Sequence, residues 1–370
     1  MNLPANPNQK VIIAMSGGVD SSVAAALLKE QGYNVIGITM QIWEPKKEFG
    51  GCCALSAIED AKKVALKLGI PHYVLNFRKE FEEKVIKYFI EEYKNGRTPN
   101  PCVKCNELIK FDLLARKARE LGAFYVATGH YVRIGCKGSR DQGIKKNIEY
   151  KLLKGIDEAK DQSYVLYMMN QETLKHSLFP LGELTKKEVR KTAKEFGLPV
   201  HDKEESQEIC FVENDNYGSF LRERIPEYCK PGNLLDTNGN IIGKHNGIIF
   251  YTIGQRKGIG AHKKRKYVVE IYSKENTVVI GDNEDLLKKE LRTDNLTFVS
   301  GEFQKNRIEI CAKIRYNSPE VKATLILIDK KEGKVVFKEP QRAVTPGQSV
   351  VFYDGDEVLG GGIITNSEKT

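Results

Sequence analysis

Val11-Ile-Ile-Ala-Met-Ser-Gly-Gly-Val-Asp-Ser-Ser22 decides how the first half of this chain folds. An apolar run, a glycine pair and a helix-periodic run opening at Ser21 read as a strand, a turn and a helix start. Gly17 and Gly18 permit a tight turn whose N–H groups converge. Ser16, Ser21 and Ser22 add hydroxyls, and the helix N-terminus adds partial positive charge. Such a cradle suits pyrophosphate. A P-loop needs G-x-x-x-x-G-K-[ST], which occurs nowhere in the chain, so the loop has no lysine of its own to reach terminal phosphates. Asp20 is a candidate magnesium contact instead. Taken on spacing alone, a strand-to-helix turn with an Asp or Ser cap accounts for the same residues.

The string Ser16-Gly-Gly-Val-Asp-Ser21 resembles the loop of the PP-loop ATP pyrophosphatases, which cleave ATP between the α and β phosphates and adenylate a substrate oxygen. That resemblance implies ATP as substrate but leaves open amidotransferases, lysidine synthetases and thiolation enzymes.

Outward from the loop, Val11 to Ala14, Val35 to Met40, His72 to Asn76 and Tyr125 to Thr128 read as short strands. They alternate with helical stretches such as Ala57 to Leu68 and Phe81 to Asn95. The pattern predicts a doubly wound parallel α/β sheet whose ligands bind beyond the carboxyl ends of the strands. After Pro231 the texture becomes turn pairs and β-rich runs, among them Tyr267 to Tyr272, Thr277 to Ile280, Ala323 to Leu327 and Ser349 to Tyr353, which predict small β domains. The expected units are 1–213, a nucleotide-binding catalytic domain; 214–288, a small central β-rich domain; and 289–370, a β-barrel. Lys137 to Lys160 mixes both signs of charge and reads as a mobile loop.

At 370 residues the chain exceeds one average domain. Its 58 Lys and Arg against 49 Asp and Glu leave +9, which favours a polyanionic partner without requiring one. The first ten residues lack a signal-peptide core and no run approaches a membrane span, so a cytoplasmic location and no membrane partner are expected. Eight cysteines are too few for a disulfide scaffold in a chain of this length, so each is packed or reactive.

Thr98-Pro-Asn-Pro-Cys-Val-Lys-Cys-Asn106 places Cys102 and Cys105 behind two prolines, with a helix expected from Glu107. Proximity to a helix N-terminus and to Lys104 and Lys110 predicts a lowered thiol pKa. Cys210, between Ile209 and Phe211, has the flanks of a buried packing thiol. Cys52 and Cys53 read as structural or incidental, and Cys136, Cys229 and Cys311 have no supporting context.

Six ordered motifs carry a closer resemblance: Ser16 to Ser21, Asn100 to Asn106, Ala127-Thr-Gly-His-Tyr131, Lys160 to Tyr167, Ser206 to Phe211 and Thr252 to Gly258. In this order the chain is similar to the bacterial tRNA-specific 2-thiouridylases. The resemblance implies a PP-loop domain, a small central domain and a C-terminal β-barrel gripping tRNA. It implies adenylation of the C2 oxygen of wobble uridine 34 in tRNAs for Lys, Glu and Gln, with sulfur then displacing AMP. By the same resemblance Cys105 is the nucleophile. Cys210 receives a persulfide from a sulfur-carrier protein or cysteine desulfurase, and a Cys105–Cys210 disulfide results. Ala14, Met15, Ser16, Gly17, Gly18, Val19, Asp20, Ser21, Met40 and Gly129 would contact ATP, and Asn100, Pro101 and Cys102 the flipped base. His130, Lys160, Asp161, Gln162, Arg315, Tyr316 and Gln348 would touch tRNA; a satisfied loop histidine equally accounts for His130. Lys263-Lys-Arg-Lys266 beside Gln255-Arg-Lys257 would line phosphates or form a solvated face.

One departure stands out. Many members of that family carry Asp where this chain has Cys102, so the proton transfer assigned to the carboxylate falls to Cys102, to a water or Asp112, or is dispensable. The change also gives three thiols, Cys102, Cys105 and Cys210, which is a ligand set for an iron–sulfur cluster. Beside the persulfide enzyme stand a cluster-using thiolase and a noncatalytic ATP-dependent tRNA-binding module. A small-molecule adenylating ligase is disfavoured by the two cysteine motifs.

Overall fold

The strands of the first half are β1 (Lys10–Ala14), β2 (Asn34–Gln41), β3 (His72–Asn76), β4 (Tyr125–Ala127), β5 (Val132–Lys137), β6 (Glu149–Lys154) and β7 (Ser177–Leu178). A computed structural model of the chain describes residues 9–43, 55–137, 148–204, 209–212, 216–301 and 305–365. Five of these strands form a parallel sheet in the order β3-β2-β1-β4-β7. Central β1 is apolar from Val11 to Ala14 because both its faces are covered. Val11 and Ile13 pack against Val23, Ala24, Ala61 and Val189, while Ile12 and Ala14 face Phe81, Val85, Phe89 and Leu114. This period-2 division puts helices Val19–Glu30, Leu55–Leu68 and Lys186–Glu195 on one face and the helices spanning 78–94 and 101–120 on the other.

Two boundaries differ from expectation for local reasons. The first helix starts at Val19 rather than Ser21, with Gly18 as N-cap and no side chain capping it. The thiol-bearing helix starts at Pro101 rather than Glu107. Asn100 caps it by accepting from the N–H groups of Cys102 at 3.0 Å and Val103 at 3.4 Å, and Pro101 sits where a missing N–H costs nothing. Both thiols therefore lie inside the first turns. The helix then widens into a π-helical segment, Asn106–Leu113, a distortion frequent at functional sites.

The stretch expected as a mobile loop also differs. Its described parts include the end of β5 and all of β6, paired antiparallel with each other, and β6 joins the C-terminal sheet through Val358 opposite Leu152. Tyr150 and Leu152, two residues apart, turn to the same core, a short alternation that the charge count had obscured. Residues 138–147 lie outside the described residues, as do Cys52 and Cys53.

Beyond helix Tyr217–Arg224, strands β8 (Gly232–Leu235), β9 (Ile241–His245), β10 (Tyr267–Tyr272) and β11 (Thr277–Gly281) form a second sheet in the order β10-β11-β8-β9. Its Val268, Val278 and Ile280 share one core with Phe81, Phe89 and Phe211 of the first half. Strands β12 (Leu287–Phe298), β13 (Arg307–Lys313), β14 (Val321–Leu327), β15 (Gly333–Arg342), β16 (Ser349–Asp354) and β17 (Glu357–Thr365) close on themselves. The order β12-β15-β14-β13-β16-β17 returns to β12, so this is a barrel without open edges.

Candidate active site

The glycine loop leaves β1 with Met15 buried: its N–H donates to Ile38 O at 2.8 Å and its carbonyl accepts from Thr39 Oγ1 at 2.8 Å. Gly17 has φ +71°, and a Cβ there would stand 2.1 Å from Ala57 O, so only glycine fits. Gly18 differs, since a Cβ there would meet only Ser16 Oγ at 3.5 Å. Gly129 lies across the helix start, where a Cβ would come within 2.8 Å of Ser21 N. Ala14 ends β1 and Met40 is the residue before the end of adjacent β2, and Val19 is buried.

The serine hydroxyls are partly used by the loop itself. Ser22 Oγ donates to Gly18 O at 2.7 Å, and Ser21 Oγ accepts from Ser16 N at 3.2 Å. Of the hydroxyls expected to face a ligand, Ser22 therefore turns inward and is fully buried, while Ser16 is exposed.

Two lysines from the distant end of the sheet reach this loop, and sequence reading did not find them. Lys186 Nζ lies 2.7 Å from Asp20 Oδ1, and its backbone N–H is held by Asp157 Oδ2 at 2.8 Å. Lys186 opens a helix whose Thr185 and Glu188 form a capping box. Lys203 Nζ donates to Gly17 O at 3.1 Å and pairs with Asp60 at 2.7 Å. Tyr131 completes the arrangement, donating its hydroxyl to Asp20 Oδ1 at 2.7 Å and its N–H to Gln162 Oε1 at 3.1 Å. The T-x-x-E signal at Thr185 was visible in the sequence; its closeness to Asp20 was not.

The thiols lie beyond. Cys102 meets solvent, yet the protein packed around it desolvates its thiolate and pushes the pKa above the ordinary thiol value, outweighing the pull of Lys110. This reverses the lowering expected from the helix start. Lys104, expected to help, turns instead to Glu107 at 2.8 Å and lies over the Tyr88 ring. Cys105 is half-buried against the core that also holds Phe211. Cys210 is exposed in a turn, not the buried packing thiol its neighbours suggested; Phe211 and Ile209 supply the anchoring instead. Phe211 meets Phe81, Phe89, Phe220 and Trp43 at ring centroid separations of 5.2 to 6.3 Å. Cys105 and the residues flanking Cys210 thus share one core. Among the described residues no three His, Cys, Asp or Glu side chains form a metal-ligand group, so the three thiols are not assembled as a cluster would need.

The residues expected at tRNA all make bonds within the protein. Asp161 accepts from Gly155 N, Ser163 N and Ser163 Oγ, and its carbonyl accepts from the Tyr316 hydroxyl at 3.1 Å. Gln162 holds Tyr131, and Lys160 closes a turn onto Asp157 O. Arg315 donates to the carbonyls of Arg342 and Ala343, while Gln348 Nε2 donates to Thr98 O at 2.8 Å. His130 is buried between Phe111 and Phe179 with Nδ1 2.6 Å from Thr128 Oγ1, and burial pushes its pKa well below the ordinary imidazole value. The loop histidine here is satisfied and neutral.

Residues 9–214 match the family described as tRNA methyl transferase HUP domain, 218–282 its PRC-barrel domain, and 288–364 the aminomethyltransferase beta-barrel domain. Full-length relatives carry a different chemistry in their names. The chain is 52% identical to the tRNA-specific 2-thiouridylase MnmA of Clostridium beijerinckii, over 96% of this chain and 98% of that one. It is 54% identical to the protein of that name from Carboxydothermus hydrogenoformans, over 96% and 97%. With the Clostridioides difficile protein of that name it shares 51% identity over 97% and 99%. Matches of this depth over the whole length, on a chain that joins the pyrophosphate loop to a capped thiol helix, mean that it belongs to the tRNA-specific 2-thiouridylase family.

Proposed function

We propose that the chain converts wobble uridine 34 of tRNAs for Lys, Glu and Gln to 2-thiouridine, with the three units 1–213, 214–288 and 289–370 gripping the tRNA in the cytoplasm. The reading is carried by one juxtaposition. A pyrophosphate cradle and a thiol helix share a sheet in a chain more than 50% identical, along its length, to 2-thiouridylases.

The uracil C2 oxygen attacks the α-phosphorus of ATP and pyrophosphate leaves toward the Gly17–Gly18 loop. Asp20, a hard oxygen donor, would hold a magnesium ion, which supplies charge neutralisation when bound. Lys186 and Lys203 bring to the loop the cations its own sequence lacks. An amide-like carbonyl is a poor electrophile, whereas its adenylate carries a good leaving group. The donor, a sulfur carrier or cysteine desulfurase, leaves a persulfide on Cys210, whose exposure suits that delivery. The Cys105 thiolate attacks the inner sulfur of Cys210 and the S–S bond breaks. The released sulfide sulfur bonds C2 and AMP departs. A Cys105–Cys210 disulfide remains, and two electrons from a thiol reductant reset it. Asn100, Pro101 and Cys102 would face the flipped base, which must leave its stack for C2 to be reached. Cys102, with its raised pKa, stays a thiol at neutral pH and so offers a proton rather than a nucleophile.

Nucleoside mass spectrometry of unmodified tRNA, incubated anaerobically with protein, ATP, magnesium and a persulfide donor, tests this. Wild type yields 2-thiouridine, and Cys105→Ser and Cys210→Ser yield none. Full product from Cys210→Ser refutes the persulfide role. Iron content and visible absorbance of anaerobically prepared protein test the cluster alternative, for which the described residues offer no assembled ligand set.

A further inference from the structure

Thr98 has all three of its hydrogen-bonding groups taken by parts of the chain remote in sequence. Its N–H donates to Pro346 O at 2.8 Å, and its carbonyl accepts from Gln348 Nε2 at 2.8 Å. Its hydroxyl bonds Thr252 Oγ1 at 3.1 Å. Pro346 and Gln348 belong to the turn between two barrel strands, while Thr252 lies in the central segment. Residues of all three segments therefore converge on one threonine.

The fit at this junction is tight. Gly347, at φ +90°, would place a Cβ 2.9 Å from Thr98 N and 3.0 Å from Arg97 Cβ. The barrel turn is itself anchored, because Gly347 N donates to Ile364 O at 2.9 Å and Ile364 N to Gln348 O at 2.8 Å. One residue before Arg97, a Cβ at Gly96 would stand 2.8 Å from Ile271 Cγ2 on β10. Segment 96–98 is thus gripped from the central sheet and from the barrel.

The tetrapeptide that Thr98 opens transmits position rather than absorbing it. Thr98-Pro99-Asn100-Pro101 fixes φ at two of four residues, and Asn100 then caps the helix through the N–H of Cys102. A displacement of the barrel turn or of Thr252 is carried through this stiff segment to the thiol helix.

We infer that Thr98 is a positioning residue that sets the Cys102–Cys105 helix from the central and barrel segments. This rests on the thiouridylase reading for its catalytic consequence, though not for its structural one. Gln348, expected at tRNA, is then also the group that holds the thiol helix in register.

The test uses the full chain carrying Thr98→Val, Thr98→Ser or Gly347→Ala. Thr98→Val keeps the shape and both backbone bonds while losing the hydroxyl, and Thr98→Ser restores the hydroxyl. We expect kcat for 2-thiouridine to fall about threefold in Thr98→Val and at least tenfold in Gly347→Ala, with KM for tRNA within twofold of wild type and Thr98→Ser close to wild type. In parallel, the rate of Cys102 alkylation by iodoacetamide, read by peptide mass spectrometry, shifts at least twofold in Thr98→Val and not in Thr98→Ser. That second readout needs no turnover, so a chain that makes no 2-thiouridine refutes the functional reading while still testing this one. Unchanged kcat and alkylation in Thr98→Val, or a tRNA KM that rises in step with the loss of kcat, overturns the inference.

Discussion

Gly17 and Gly18 sit side by side and do different work. Gly17→Ala forces a Cβ to 2.1 Å from Ala57 O at a positive φ, so the fold is destabilised and the melting temperature drops by more than about 5 °C. Gly18→Ala meets no backbone, so its melting temperature holds while ATP affinity falls at least tenfold, because the added methyl stands over the cradle. Thermal melts and ATP titration separate the two. Lys186 is argued the same way. Its ammonium lies on Asp20, and Lys186→Gln lowers the pyrophosphate release rate by about 10²-fold with Lys186→Arg retaining most of it, the scale of one lost electrostatic stabiliser. At Cys102 desolvation by the surrounding protein holds the proton on, so its alkylation rate climbs only at a pH above the ordinary thiol range. Lys110 favours the thiolate, and Lys110→Gln moves that rise to still higher pH, slowing alkylation about threefold at a fixed pH of about 8.

The β5–β6 hairpin shows what an element owes to its partners. It is encoded in the first half yet adds strands to the C-terminal sheet, and Leu152 is fully buried among Val132, Tyr353 and Val358. Leu152→Ala removes a buried side chain at that joint and costs about 2–5 kcal/mol in denaturant unfolding. A loss under about 1 kcal/mol would mean the hairpin does not hold the two parts together. The same hairpin shows why parts of the structure were hidden in the sequence. Strands β1 to β3 were legible to within a residue because Val and Ile runs with flanking glycine leave one reading. Lys137 to Lys160 was not, since a strand that pairs far along the chain carries only alternation, and the interspersed charges masked it. The helix around Cys102 was misplaced by six residues because its start depends on an Asx cap and a proline, a local signal present at Asn100 and Pro101 that the expected start at Glu107 passed over. Lys186 and Lys203 lie far from the loop in the chain, and only the parallel sheet brings them to it.

At the scale of the whole molecule, charge is the property that acts over distance. The net +9 is too small to specify a partner, but its placement matters. Lys263, Lys264 and Arg265 are exposed in succession on the central segment, while Lys266 is paired with Asp282 at 3.0 Å. Thr252, which touches Thr98, lies on the same segment eleven residues earlier in the chain. For an RNA ligand, each neutralised phosphate releases a counterion, and the logarithm of affinity falls linearly with the logarithm of salt concentration. Replacing Lys263, Lys264 and Arg265 together by Gln therefore makes the salt slope shallower by about 2 and weakens tRNA binding roughly uniformly across tRNA species. Filter binding between about 50 and 200 mM salt reads both quantities. A slope identical to wild type would make the run a solvated face, and a loss confined to one tRNA species would make it a reader of sequence rather than of phosphate.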